Sequence, residues 1–297
     1  MQDIILGVTA GLLSSLFYAV SVIIYKSVAH DIRPLAVSAI KMWVSLAFIA
    51  ILVFQPFRTT PFSVPLQDII ILGAAVTVGT VIGDTAYLFS QDRIGVSYAF
   101  PITSAYPITT YILAILFLGD QILPSRVFGV ILAVVGIFVI SRGQNHDADA
   151  TEKRGSAAVG MALAILALIM YSFSTTLMQA GTSEVEAIDA NFIRMLVGSI
   201  ELAPAFAVAR HLGMPLPSKR GIKVTVVAAF FGMALGSLLY LASIKYAGAT
   251  IGAVVGSTSP LFGVPIAYAY LKERISRLEI VGIAATMTGV LLTVFVL

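Results

Sequence analysis

Residues 79–90 read GTVIGDTAYLFS, and residues 232–243 read GMALGSLLYLAS. In both runs two glycines stand four apart, and a tyrosine, a leucine and a serine follow at the same spacing. Gly79, Gly83, Tyr87, Leu88 and Ser90 thus fall on Gly232, Gly236, Tyr240, Leu241 and Ser243 at an offset of 153. Carried outward, that offset aligns residues 1–144 with 154–297 without a gap. Upstream, Tyr18 falls on Tyr171, Ser21 on Ser174, Lys41 on Arg194 and Met42 on Met195. Downstream, Gly95, Ser104, Pro107, Gly129 and Gly136 fall on Gly248, Ser257, Pro260, Gly282 and Gly289. One offset carrying this whole set marks a duplicated structural unit.

The duplicated unit is a membrane one. Hydrophobic residues make up 59% of the 297 and charged residues 11%, so most side chains must be solvated by lipid or by other helices. Cysteine is absent, which excludes disulfides and a thiolate metal site. A formal charge of +3, with no basic patch interleaved with aromatics, gives no reason to expect nucleic acid as a partner. The chain opens Met-Gln-Asp without a positive leader, and its first apolar run is as long as a full span; the reading is a retained helix rather than a signal peptide.

Apolar stretches long enough to cross about 30 Å of hydrocarbon occur near 4–25, 34–54, 68–90, 96–118 and 125–141. They recur near 156–178, 187–208, 222–244, 249–271 and 278–296. The expected fold is an all-α integral membrane protein of ten transmembrane helices, five in a first repeat (1–144) and five in a second (154–297). A polar linker, 145–153, joins them within the charged stretch from Arg142 to Gly155. An odd number of spans per repeat turns the second copy upside down, so the repeats are expected to be inverted, with helix 1 opposite 6, 3 opposite 8 and 4 opposite 9. The Gly79/Gly83 and Gly232/Gly236 pairs, Gly252/Gly256, and the seven-apart pairs Gly129/Gly136 and Gly282/Gly289 read as close-packed helix seams. Lysine and arginine are uneven between the two sides. The loops after helices 1, 3, 5, 7 and 9 hold thirteen and the opposite side three (Arg58, Arg126 and Lys245), which predicts both termini outside the cytoplasm.

Ionisable groups inside spans are costly and need a partner or a water-filled cavity. Lys41 and Asp84 come at similar depth, roughly 10 Å in at 1.5 Å per residue, in neighbouring helices; they read either as a structural charge pair or as part of a solute or proton site. The second copy keeps the cation as Arg194 but has Ser237 in place of Asp84, and it adds Glu201 two turns beyond Arg194, where the first copy has Phe48. A duplicated protein serving one asymmetric solute is expected to differ in this way. Tyr18, Tyr87, Tyr171 and Tyr240 need hydroxyl partners if they lie deep. Ser104 and Ser257 accompany the matched Pro107 and Pro260, which read as helix breaks that free carbonyls for hydroxyls, water or a solute. The expected solute-binding residues are therefore Tyr18, Asp84, Tyr87 and Ser104 with Tyr171, Glu201, Tyr240 and Ser257; helix packing is the alternative for each.

The ends of each repeat resemble the EamA-type members of the drug/metabolite transporter superfamily. The carriers are Gly95 through Pro107 to Leu118-Gly119-Asp120 with Gly129 and Gly136, and Gly248 through Pro260 to Leu271-Lys272-Glu273-Arg274 with Gly282 and Gly289. Asp120 closes the first copy where glutamate is usual in the family, so that copy is the less typical. The resemblance implies a cavity lined by both repeats, with Tyr18, Tyr87, Ser104, Tyr171, Tyr240 and Ser257 mapping to it. It also implies transport of small metabolites such as amino acids, nucleobases or related amphiphiles, without an ATPase domain. Ten-helix members of the family usually keep both termini in the cytoplasm, against the charge count here.

The leading expectation is a secondary transporter in the cell membrane, working by alternating access, with a small solute and lipid as partners and no cofactor or metal. No phosphate-loop motif is present, and neither is His-Glu-x-x-His or Gly-x-Ser-x-Gly. An integral membrane enzyme and a transport-inactive assembly partner are the alternatives; the latter predicts mid-span polar groups filled by side-chain contacts, with no cavity.

Overall fold

The computed structural model describes residues 2–26, 32–144, 157–266, 269 and 276–295. The expected linker at 145–153 and the segment Leu271-Lys272-Glu273-Arg274 lie outside the described residues.

The described chain is helical throughout its apolar runs. Helices α1 (Gln2–Lys26) and α2 (Pro34–Val53) are continuous, with Pro34 opening α2 where a missing N–H costs nothing. The third run is α3 (Leu66–Val76), a π-helical segment (Thr77–Gly83) and α4 (Asp84–Ile94). The fourth is α5 (Val96–Thr103), α6 (Tyr106–Leu113) and a π-helical segment (Ala114–Leu118), followed by α7 (Pro124–Gln144). Then come α8 (Ala157–Gly181) and α9 (Ala187–His211). After them, α10 (Lys219–Ala229) runs through a π-helical segment (Phe230–Gly236) into α11 (Ser237–Gly256). Helices α12 (Ser259–Ile266) and α13 (Arg277–Phe295) complete the order. Among the described residues, 7 helices are long and apolar enough to cross a membrane, and large apolar side chains such as Ile5, Ile51, Ile70 and Ile200 face outward from them. Such an exterior suits lipid and not water. The chain is an all-α, multi-pass membrane protein.

The irregularities of the helices recur at the offset that the sequence repeats. The π-helical segments Thr77–Gly83 and Phe230–Gly236 are equivalent under it, and each holds one of the glycine pairs read as a packing face. The helix breaks at 104–105 and 257–258 are equivalent, as are Gly95 (φ 76°, ψ 162°) and Gly248 (φ 86°, ψ 162°). This backbone region is open almost only to glycine. At Gly248 the chain folds back: a Cβ on Gly252 would come within 2.8 Å of the Ile244 side chain, and one on Gly256 would meet Tyr240. Residues 16 apart on a straight helix would be about 24 Å apart, so α11 is two arms of a hairpin. Pro107 and Pro260 each stand second in a new helix, α6 and α12, just past the breaks. They restart helices there and do not kink them from within.

Small residues and hydroxyls close the seams. Ser21 Oγ (α1) donates to the Ala228 carbonyl at 2.8 Å, and Ser174 Oγ (α8) to the Ala75 carbonyl at 2.7 Å; the two bonds are equivalent at the offset of 153. Gly232 lies against Ser21 and Gly79 against Ser174, with no room for a Cβ at either. Helices α7 and α13 meet at the expected glycine pairs. A Cβ on Gly136 would come within 2.7 Å of the Gly282 carbonyl oxygen, and one on Gly129 within 2.8 Å of that of Gly289. Beside this seam Val8, Tyr111, Val130, Val254, Val255 and Val290 form a buried cluster joining α1, α6, α7, α11 and α13.

Candidate solute cavity

Where the two π-helical segments and the two helix breaks converge, they enclose a cavity of about 290 Å³. That is at the lower limit of the roughly 300–1,000 Å³ typical of small-molecule sites. Tyr18 and Ser14 enter it from α1, Lys41 from α2, Asp84 and Tyr87 from α4, and Ser104 and Tyr106 from the first break. Tyr171, Ser174 and Thr175 come from α8, Arg194 from α9, Ser237 and Tyr240 from the first arm of α11, and Ser257 from the second break. Backbone reaches the wall at Gly79, Gly232, Gly236 and Gly256. Another depression, about 330 Å³, is an open and almost wholly apolar groove bounded by Ile24, Lys223, Val224 and Val227, and it offers no comparable set of polar groups.

Seven of the eight residues expected from the sequence to bind solute line the cavity: Tyr18, Asp84, Tyr87, Ser104, Tyr171, Tyr240 and Ser257. Glu201 is not on its wall. Its Oε1 accepts a 2.6 Å hydrogen bond from Thr77 at the start of the first π-helical segment, and its Oε2 is buried. Helical spacing puts Glu201 on the face of Arg194, yet two turns carry it past the cavity wall to the start of the first π-helical segment. The expected Lys41–Asp84 pairing is also revised. Both side chains line the cavity, but no ion pair joins them. Asp84 Oδ1 instead accepts the Tyr171 hydroxyl at 2.8 Å, while Lys41 Nζ stands 5.8 Å from the centre of the Tyr25 ring.

Across the cavity a second polar cluster is built on Tyr106, which single-position matching did not select. Its hydroxyl donates to the Ala253 carbonyl at 3.0 Å and lies 3.3 Å from the Tyr240 hydroxyl. Tyr240 in turn is 3.1 Å from Thr175 Oγ1, whose proton goes to the Tyr171 carbonyl at 2.9 Å. With those two donors committed, the Tyr240 hydroxyl is the donor in its own contacts and can turn between them. The backbone opened by the irregular segments is satisfied from α1. Ser14 Oγ donates to the Gly236 carbonyl at 2.7 Å and Ser15 Oγ to that of Val255 at 2.7 Å. Irregular backbone at membrane depth is tolerated where such partners or a cavity exist.

Arg194 is 5% exposed and reaches the wall from the position equivalent to Lys41. Its Nη1 donates to Asn191 Oδ1 at 3.3 Å and to Ser237 Oγ at 3.2 Å, and Ser237 Oγ donates to the same Asn191 oxygen at 2.9 Å. The signal for this residue was present in the sequence, as the cation conserved between copies whose matching acid had been lost. Among the described residues there is no cluster of three potential metal ligands.

The model of the EamA-like transporter family matches residues 5–142 and again residues 158–295. An uncharacterized transporter of Archaeoglobus fulgidus is 24% identical over 298 residues, spanning 98% of each chain. The uncharacterized transporter YetK of Bacillus subtilis is 21% identical over 275 residues, spanning 92% of this chain and 82% of its own. A protein of known crystal structure superposes with a TM-score of 0.78 over 96% of this chain and 95% of its own, at 12% identity, a likeness of fold alone. The family is one of transporters and not of enzymes, and two consecutive matches cover nearly all the chain: it belongs to the EamA-like transporter family.

Proposed function

We propose that this protein is a secondary transporter that moves a small metabolite, an amino acid, nucleobase or related amphiphile, by opening its central cavity alternately to each side of the membrane. One observation carries the reading: the cavity is walled by residues that correspond at the repeat offset, Tyr18 with Tyr171, Tyr87 with Tyr240 and Ser104 with Ser257. A site formed jointly by two halves is what rocking one half against the other would expose to each side in turn. The π-helical segments and the breaks at 104–105 and 257–258 bracket the site and are the places where helices can bend. The solute gradient or a co-moving proton would drive the cycle.

The same reading takes the chain as ten spans in two inverted repeats, residues 1–144 and 154–297, joined by a linker at 145–153. The reversal at Gly248 divides the 38-residue helical run Lys219–Gly256, about 57 Å long if straight, into two spans. Bonds between helix ends also fit the ten-span order. Arg58 pairs with Asp189 at 2.6 Å, Thr250 Oγ1 donates to Asp120 at 2.9 Å, and Lys245 Nζ donates to the Val185 carbonyl at 2.6 Å. In that order all six residues stand on one side, whereas Ser90 and Gly160, bonded at 2.8 Å, share the other.

An open polar cavity argues against a transport-inactive assembly partner. The test is counterflow into liposomes carrying the purified protein, preloaded with a mixture of amino acids and nucleobases and assayed with each labelled solute in turn. Protein-dependent accumulation of at least one solute is expected, and flux no faster than in empty liposomes for every class would overturn the reading.

A further inference from the structure

The charges of the cavity are unequal. Lys41 and Arg194 line it as cations and Asp84 is the one carboxylate on the described wall; the acid is near Lys41 in its own half, while the place equivalent to Asp84 beside Arg194 holds the uncharged Ser237. Among the described residues no carboxylate pairs with Arg194. Two neighbouring donors, Arg194 Nε and Asn191 Nδ2, are buried without an acceptor. A buried guanidinium with no counter-charge is unfavourable, and unpaired buried donors add to that cost. The Asn191–Ser237 bond holds the guanidinium at the wall through Nη1, and with Nε buried it is Nη2 that is left to meet an acceptor in the cavity.

We propose that Arg194 receives the carboxylate of the transported solute, so that among small metabolites this cavity selects those bearing a carboxylate. The inference rests on the transport reading and narrows it: amino acids and other small organic acids qualify, and uncharged nucleobases do not. The rings of Tyr106 and Tyr171, 6.3 Å apart and edge to face, and the hydroxyl of Tyr240 line the same cavity and would hold the remainder of the molecule.

The experiment measures binding without flux, as the shift in thermal unfolding of the purified full-length protein in detergent. The probes are propionate, benzoate and indole-3-carboxylate, each beside its primary amide and its amine at the same concentration and pH. At least one acid is expected to bind about tenfold or more tightly than its amide, as a charge-assisted hydrogen bond exceeds a neutral one. Arg194→Lys should retain part of that preference and Arg194→Gln should lose it. Acid and amide behaving alike across all three pairs, whether both bind or neither does, would overturn the proposal. So would an undiminished preference in Arg194→Gln. If that variant does not fold, the acid–amide comparison in the wild-type protein and in Arg194→Lys still decides. Acid-selective binding without flux in liposomes would sink the transport reading alone, whereas flux blind to the carboxylate would sink the anion site alone.

Discussion

At the scale of single residues, the decisive contact is the one between Tyr171 and Asp84, which joins α8 to α4 at the cavity wall at 2.8 Å. A hydrogen bond to a carboxylate contributes about 1.5–3 kcal/mol. Tyr171→Phe should therefore weaken solute binding or flux by roughly tenfold while the protein still folds, since the substitution leaves no cavity. Combined with Asp84→Asn in a double-mutant cycle, it should show a coupling of about 1–2 kcal/mol; additive effects on unfolding would mean that the hydroxyl does not serve the acid. Matching hydroxyls and rings between the copies picked out six of the wall residues, because a residue kept in both halves of a lipid-solvated protein has few reasons to be polar other than a shared cavity; the seventh, Asp84, was found as a charge within a span. Glu201 and the Lys41–Asp84 pairing were read less well. Helical periodicity states which face a side chain takes, but the partner it meets depends on how the next helix crosses, and at these places the partners are Thr77 and Tyr171.

At the scale of elements, the glycine pairs were legible as seams and the backbone around them was not. The α7–α13 seam behaves as the spacing implies, and it gives a direct test. Gly136→Ala would put a methyl group within 2.7 Å of the Gly282 carbonyl oxygen, against backbone that cannot turn aside. A loss of about 1–3 kcal/mol, typical of overpacking, should appear as a lowered unfolding temperature in detergent. Gly263→Ala in α12 is the control: nothing lies within 4 Å of the new methyl, so stability should change by less than about 1 kcal/mol. Equal effects at the two sites would remove the seam from the account. The π-helical segments left no trace in the pattern of apolar residues, because an α-turn and a π-turn differ in which carbonyl accepts each N–H and not in side-chain polarity. Pro107 and Pro260 did announce a break; that it falls two residues earlier, with each proline opening the next helix, follows from the missing N–H being harmless only in a first turn.

At the scale of the whole molecule, the proposed ten-span order puts the loops on two sides, and thirteen of the sixteen loop cations fall on one of them. The positive-inside rule then predicts both termini outside the cytoplasm. Reporter fusions in intact cells check this: a fusion within 145–153 should be cytoplasmic, and one at the C-terminus should not. A cytoplasmic C-terminus would reverse the orientation and leave the cavity and its pairs of residues where they are, because the contacts within the protein are indifferent to which face is which.

The sequence by itself determined the class of solvent, the duplication, and the identity of most side chains that meet at the centre. Each of these depends on composition or on comparison of the chain with itself, and neither needs a third dimension. Tertiary structure alone decided that Gly248 reverses the chain, that Asp84 bonds to Tyr171 and not to Lys41, that Tyr106 completes the far wall, and that Arg194 faces the cavity without an acid beside it. The reason is common to all four. In lipid, apolar faces carry little information about which helix packs where, so neighbours are set by backbone approach at glycines and by the few hydrogen bonds that become possible once helices have crossed.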